Sequence, residues 1–304
     1  MRLYKQFLCI LPLLAVFTNA QNIKIQFAQD SVLNLYSKSE INISKGSDET
    51  TKEEIFSHKS QYKKSGNKDV LKVQYDSLSI QYIISKDSFE VHNTNAPKSY
   101  LSLLLKYTTN KEYKVSFDPE KRNVSLTNYD NVFSDLYKNI YKKRDENMDF
   151  VFSSKIRQIL NENIALSDIE EIYPAFPLSA VNDSSTWDVT SHHICGLNGI
   201  IETHYRVNYI TDMTIKITSR GTITNEEKEC SKYSIDGVSY ILSNIKGTFT
   251  KSIVINRNTG WIKSGEISLR LKGKCKHGTS NNSKEENLSI SINKTIRDSL
   301  KDDL

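Results

Sequence analysis

The chain has 304 residues, of which 41 are basic and 36 acidic, and 38% of it is hydrophobic. Because the net charge of +5 is small and the charges are interspersed, the composition argues against a nucleic-acid-binding or membrane-surface protein. The 16 Tyr and 11 Phe, with many Ile, Thr, Ser and Asn, favour antiparallel sheet over a helical bundle.

The first 20 residues have the three parts of an export signal. Arg2 and Lys5 give a positive start, residues 7–17 form an uncharged apolar run, and Ala20 ends a short cleavage sequence. The run is shorter than the roughly 20 residues that a membrane-spanning helix needs, and no later segment is longer. We therefore expect cleavage between Ala20 and Gln21 and a soluble periplasmic or extracellular chain with no membrane span.

Residues 21–128 are predicted to form a first β-rich region. Apolar and polar side chains alternate along segments 32–43, 55–63 and 70–84, which is strand periodicity. The leucine-dense segment 99–107 fits either a strand or a short buried helix.

Residues 129–172 are predicted to form a helical segment. Apolar side chains recur there at helical spacing, in Val132, Leu136, Ile140, Ile156, Ile159, Leu160 and Ile164. The two prolines of Tyr173-Pro174-Ala175-Phe176-Pro177 end the segment, because neither position can continue a helix.

Strand alternation returns in residues 173–304. Strands are predicted at 186–194, 200–210, 213–224, 238–245, 247–256, 261–272 and 288–296, with a hairpin turn at 256–260. The sequence thus predicts an α+β fold, mostly antiparallel β, with two β-rich halves and a helical segment between them. It leaves open whether the halves form one domain.

Three cysteines remain after the signal is removed, namely Cys195, Cys230 and Cys275. Export permits disulfide formation, and the odd number leaves one thiol free or paired between chains. Cys230 and Cys275 flank a block of predicted hairpins, so they are the preferred pair. A bond from Cys195 to either of them is the alternative.

Histidines near Cys195 raise two chemical hypotheses. The cysteines together with His192, His193, His204 and His277 are ligand-type residues for zinc or copper, but they lack paired Cys-x-x-Cys spacing. Cys195 with His193 or His204 could form a nucleophilic pair, although no nucleophile motif surrounds the cysteine. No glycine-rich phosphate loop occurs either. We therefore assign no metal, no cofactor and no catalytic residue.

The two tryptophans, Trp187 and Trp261, each lie in or beside a predicted strand. Tryptophan burial often dominates small cores, which favours a core-anchor role for both. The alternative is that Trp187 and Trp261 form a platform for a ligand.

The chain resembles an uncharacterised family of exported Bacteroidota proteins. The likeness rests on the signal, the helical segment leading into Tyr173–Pro177, the strand with Trp187, and the Asn258-Thr259-Gly260-Trp261 turn. The resemblance implies a periplasmic or surface-associated β-rich protein and assigns no catalytic residue. We expect a non-catalytic binding or structural module of the cell envelope, whose partner is a lipophilic ligand or an envelope protein. A periplasmic carrier of a lipophilic ligand and a thiol-dependent hydrolase are the alternatives.

Overall fold

The computed structural model describes residues 27–45, 48–64, 70–84, 87–92, 100–109, 111–118, 123–128, 131, 134, 135, 138, 177, 179–194, 197–225, 231–235, 238–277 and 284–299. Almost all of these residues lie in antiparallel strands of one sheet.

The sheet has 13 strands in the order β6-β5-β3-β2-β1-β13-β12-β11-β9-β8-β7, with β4 paired to β3 and β10 to β11. The strands are β1 (Val32–Lys45), β2 (Asp48–Lys64), β3 (Val70–Ile84), β4 (Asp87–His92), β5 (Glu112–Asp118), β6 (Asn123–Leu126), β7 (Thr186–Ile194), β8 (Leu197–Ile210), β9 (Thr214–Asn225), β10 (Ser231–Ile235), β11 (Val238–Asn256), β12 (Ile262–His277) and β13 (Lys284–Asp298). Helix α1 (Tyr100–Thr108) lies between β4 and β5 in the chain. The leucine-dense segment, for which a strand or a short helix was predicted, is therefore a helix.

The two β-rich halves of the sequence form one continuous sheet. Strand β1 pairs with β13 in antiparallel register from Leu35 opposite Asp298 to Lys45 opposite Leu288. On its other edge β1 pairs with β2, so the first and last strands of the sheet region lie at its middle.

The predicted α+β class is therefore wrong, because the described elements are nearly all strands of one antiparallel sheet and the halves meet directly. Within the predicted helical segment 129–172, Asn131, Ser134, Asp135 and Lys138 are helical, and the rest lies outside the described residues. The region boundaries at residues 128 and 172 stay predictions.

One face of the sheet, called the inner face below, carries the buried side chains. In β9, buried and more exposed residues alternate, as strand geometry requires. Ile217 and Ile223 lie on the same face but belong to two different apolar clusters. The first cluster includes Leu35, Val207, Ile217, Ile253 and Ile296, and the second includes Ile43, Ile201, Ile223, Leu269 and Ile292.

Candidate ligand-binding site

A row of side chains crosses the inner face between the two apolar clusters. Trp187 of β7 lies opposite Tyr205 of β8, and Tyr205 lies opposite Ser219 of β9. Ser219 in turn lies opposite Lys251 of β11. We call Trp187, Tyr205, Ser219 and Lys251 the donor row, because each side chain carries an N–H or O–H group.

The donor row lies between apolar rows set two residues away along the strands. On one side Val207, Ile217 and Ile253 lie opposite one another and belong to the first cluster. On the other side Gly221 lies opposite Phe249, a member of the second cluster. Along β11 the inner face therefore changes from apolar Ile253 to Lys251 and back to apolar Phe249, and Ser219 of β9 follows Ile217 in the same way.

Three polar atoms of the donor row are buried without a hydrogen-bond partner. They are Nε1 of Trp187, the hydroxyl of Tyr205 and Oγ of Ser219. Tyr205 is 1% exposed and Ser219 8% exposed, so water does not reach these groups freely. A buried polar group without a partner costs about 1–3 kcal/mol, and folded proteins hold few of them. Three such atoms lie on residues that are directly opposite one another on neighbouring strands. Together they can form hydrogen bonds that the fold itself does not use.

Lys251 adds a buried positive charge to the row. Its side chain is 6% exposed, and Nζ lies 5.2 Å from the centroid of the Phe249 ring. Among the described residues, no carboxylate lies within ion-pairing distance of Lys251. A cation over an aromatic ring recovers at most about 2 kcal/mol, whereas buried charges are ordinarily paired with an opposite charge. Within the part of the chain that the structure describes, the ammonium therefore has no anionic partner.

A second lysine lies farther along the same row. Lys294 of β13 is buried and lies opposite Ile267 of β12, which lies opposite Lys251. Lys294 makes interactions of its own, so the site is argued from Lys251 alone.

Gly221 shapes the site beside the donor row. A Cβ at position 221 would lie 2.3 Å from Cζ of Phe249 and 2.4 Å from the backbone oxygen of Glu202. Only glycine leaves room for the Phe249 ring to lie across β9. The ring thus covers the strand next to Ser219 and also contacts the Lys251 ammonium.

The structure gives the two tryptophans different environments. Trp187 is half-buried and stacks on Tyr205, with ring centroids 5.4 Å apart and planes 9° apart. Trp261 is 5% exposed, its Nε1 donates to Oγ of Ser31 at 2.8 Å, and its ring packs 4.2 Å from that of Phe27. Trp261 therefore has the environment of a core residue, whereas Trp187 keeps an unused donor. The ligand platform stays a prediction, and the donor row supports it for Trp187.

An open groove of about 890 Å³ runs along the same strands, lined by outer-face polar residues and also by Val189, Thr203, Gly221 and Phe249. Asp188, His204, Arg220, Thr250 and Ser268 line it in one cross-strand row. Oδ1 of Asp188 lies 2.8 Å from Nδ1 of His204, and both side chains are substantially exposed. The Asp188 and His204 side chains of the groove are thus solvated, and the groove shares Gly221 and Phe249 with the surroundings of the donor row.

Several predicted site residues lie outside the described part of the chain. Cys195 and Cys230 lie outside it, and Cys275 contributes backbone to β12 while its side chain is not described. The disulfide prediction and the thiol hypothesis therefore both lie outside the described residues. The signal and its cleavage site at Ala20 and Gln21 do so too.

The histidines do not form a metal centre in the described part. His192 is exposed, and His204 hydrogen-bonds Asp188. No cluster of three or more metal-ligating side chains occurs among the described residues. Within those residues, no helix has the length and apolarity that crossing a membrane requires.

Sequence reasoning missed Tyr205, Ser219 and Lys251. One signal was available: Lys251 alternates with Phe249 and Ile253, which places a lysine on an apolar strand face. Its neighbours in the row could not be named, because they depend on the pairing of β8, β9 and β11.

The fold and the donor row define an all-β protein built on one large antiparallel sheet, with a buried polar row between apolar clusters. A family model described as "Family of unknown function (DUF6263)" matches residues 66–262, and the chain belongs to this family. The predicted membership of an uncharacterised family is thereby confirmed. No curated protein matches the chain in sequence.

Among solved structures, the chain is similar to lipovitellin, in a structure concerned with lipid–protein interactions. The identity is 11%, the TM-score is 0.48, and the match covers 90% of this chain and 25% of lipovitellin. The chain thus spans about a quarter of that protein's length.

Two further similarities are to bacterial proteins. An outer membrane channel from Pseudomonas putida F1 shares 6% identity at a TM-score of 0.24, covering 90% of this chain and 96% of the channel. A DUF1329 family protein from Desulfovibrio piger shares 10% identity at a TM-score of 0.20, covering 90% of this chain and 88% of its own.

Proposed function

We propose that this chain is an exported, non-catalytic binding protein whose inner sheet face holds a lipophilic ligand. The observation that carries the proposal is the donor row: three buried polar atoms without partners, between two apolar clusters of the same sheet face. A ligand with a long apolar body and a polar end would match this arrangement.

Small-molecule sites are mostly apolar and place a few polar groups to orient the ligand. Here the apolar clusters would contact the ligand's body, and the donor row would satisfy its polar end. Each hydrogen bond formed in this way would relieve a buried donor that otherwise destabilises the fold by about 1–3 kcal/mol.

The N-terminal sequence supports a location outside the cytoplasm, periplasmic or extracellular. Residues 1–20 have the charge and length of a cleavable signal, with cleavage between Ala20 and Gln21. The resemblance to exported Bacteroidota proteins agrees with this. A thiol-dependent hydrolase is not proposed, because no observation on the described residues favours it.

Native mass spectrometry of the protein purified from its own host tests the proposal. We expect a mass excess over the chain that disappears on extraction with organic solvent, and a lipophile in the extract. A protein that carries no adduct, and that after purification takes up neither a long-chain acid, an alcohol nor an alkyl phosphate, would contradict the proposal.

A further inference from the structure

We infer that the ligand is a long-chain monocarboxylate whose head group pairs with Lys251 and accepts hydrogen bonds from the rest of the donor row. This inference rests on the proposed function and adds the chemistry of the ligand's polar end. It is argued from charge, from donor number and from the apolar surroundings.

The charge argument concerns the groups that face Lys251. Ser219 of β9 and Ile267 of β12 lie directly opposite it on the two neighbouring strands. Phe249 and Ile253 flank it along β11 on the same face. None of these four side chains carries a negative charge. Among the described residues the buried ammonium has no anion, so a ligand that brings one negative charge would complete its pairing.

The donor number fits a carboxylate. The row offers Nε1–H of Trp187, the hydroxyls of Tyr205 and Ser219, and the ammonium of Lys251. An ionised carboxylate accepts about four hydrogen bonds, so it can take the Lys251 ammonium and further donors of the row. Charge-assisted hydrogen bonds are roughly twice as strong as neutral ones, so an anion gains most from these donors.

Other ligand chemistries fit less well. A neutral alcohol would leave the Lys251 charge without an anion, and an amine would be repelled by it. A zwitterionic head group would bring a second charge, and no acidic side chain faces Lys251 to receive it. The apolar residues on both sides, Ile253 and Phe249, favour an alkyl chain over a free inorganic anion.

The test compares three ligands of equal chain length: a fatty acid, the corresponding fatty alcohol and the corresponding alkyl phosphate. Each is titrated into the delipidated full chain by isothermal calorimetry. The variants are Lys251→Met and, as a matched control, Lys272→Met, which removes an exposed lysine from the outer face of β12. Circular dichroism verifies that each variant is folded.

We expect the wild type to bind the acid at least about tenfold more tightly than the alcohol, given the strength of charged hydrogen bonds. Lys251→Met should weaken acid binding at least about tenfold more than alcohol binding, while Lys272→Met should change neither affinity. Should Lys251→Met misfold, Tyr205→Phe must weaken acid binding more than alcohol binding.

The outcomes separate the two proposals. Equal affinity for acid and alcohol, unaffected by Lys251→Met, would overturn the carboxylate assignment and leave lipophile binding in place. Tighter binding of the alkyl phosphate than of the acid would also overturn it. Binding of none of the three ligands would instead refute the proposed function itself.

Discussion

The Phe249 ring occupies the space that a side chain at position 221 would fill. Gly221 of β9 and Phe249 of β11 are directly opposed, and a Cβ on the glycine would lie 2.3 Å from the ring. The ring is therefore held against β9, where it also faces the Lys251 ammonium. The missing side chain at Gly221 of β9 thus positions the Phe249 ring of the proposed site.

Gly221→Ala should destabilise the fold by about 1–3 kcal/mol, because the methyl group must displace a buried ring and a backbone oxygen. Urea unfolding of the ligand-free protein measures the loss. Gly265→Ala is the matched control, since its nearest neighbour at 3.0 Å is a terminal methyl of Ile262 and its other neighbours lie at 3.7 Å or beyond. Equal losses for the two variants would contradict the role assigned to Gly221.

Lys251→Met should raise the free energy of unfolding of the ligand-free protein by about 1 kcal/mol or more, because it removes a buried charge that has no anion. Thermal and urea unfolding check this. A fatty acid at a hundred times the wild-type Kd should stabilise the wild type by about 2.7 kcal/mol, and the variant, whose affinity is about tenfold lower, by only about 1.4 kcal/mol. A strong destabilisation of the ligand-free variant would show that Lys251 is paired within the chain.

Trp187→Phe and Trp261→Phe should differ in their effects on stability. Trp261→Phe removes the hydrogen bond to Ser31 and part of a core ring, at a cost of about 1–3 kcal/mol. Trp187→Phe removes a donor that has no partner, so the free energy of unfolding should change by less than about 0.5 kcal/mol while acid binding weakens. Similar melting temperatures for the two variants would argue against the distinction.

The carboxyl pKa of Glu285 should lie below its ordinary value, because its side chain accepts a hydrogen bond from Lys274 and also faces Lys276. Because the pKa of Glu285 is lower in the folded than in the unfolded state, its pairing with lysine stabilises the fold at pH values above the unfolded-state pKa. This contribution is lost as pH falls through the folded pKa. Carbon-detected NMR titration of Glu285 measures the shift, and Lys274→Met should move the pKa back up. An unchanged titration in that variant would contradict the assigned cause.

Local strand pattern was readable from the sequence. The predicted bounds 70–84 and 186–194 are those of β3 and β7, although a bulge beside Tyr75 shifts the buried face of β3 by one residue. The turn after β11 was also predicted: Oδ1 of Asn256 accepts hydrogen bonds from two turn amides, and Gly260 has φ 71°. These features depend on neighbouring residues, which the sequence shows directly.

The fold class and the donor row could not be predicted, because both depend on contacts between residues that are distant in the sequence. Segments 238–245 and 247–256 were predicted as two strands, but β11 runs through both, and the irregularity between them is a register shift from Ser243 to Lys246 with φ 52° at Asn244. Likewise, Trp187 and Lys251 join one row only through the register of four strands. Alternation fixes which face a residue occupies but not which residues lie beside it.

The pairing of β1 with β13 also governs when the sheet can be completed during synthesis. Leu35 pairs with Asp298, which is synthesised 263 residues later, so this edge of β1 has no partner until then. Ribosomes add roughly 5–20 residues per second, so the edge stays open for many seconds, and such long-range pairing is intrinsically slow to form. An unpaired edge is a template for aggregation, and the nascent chain therefore depends on protection until its last strand arrives.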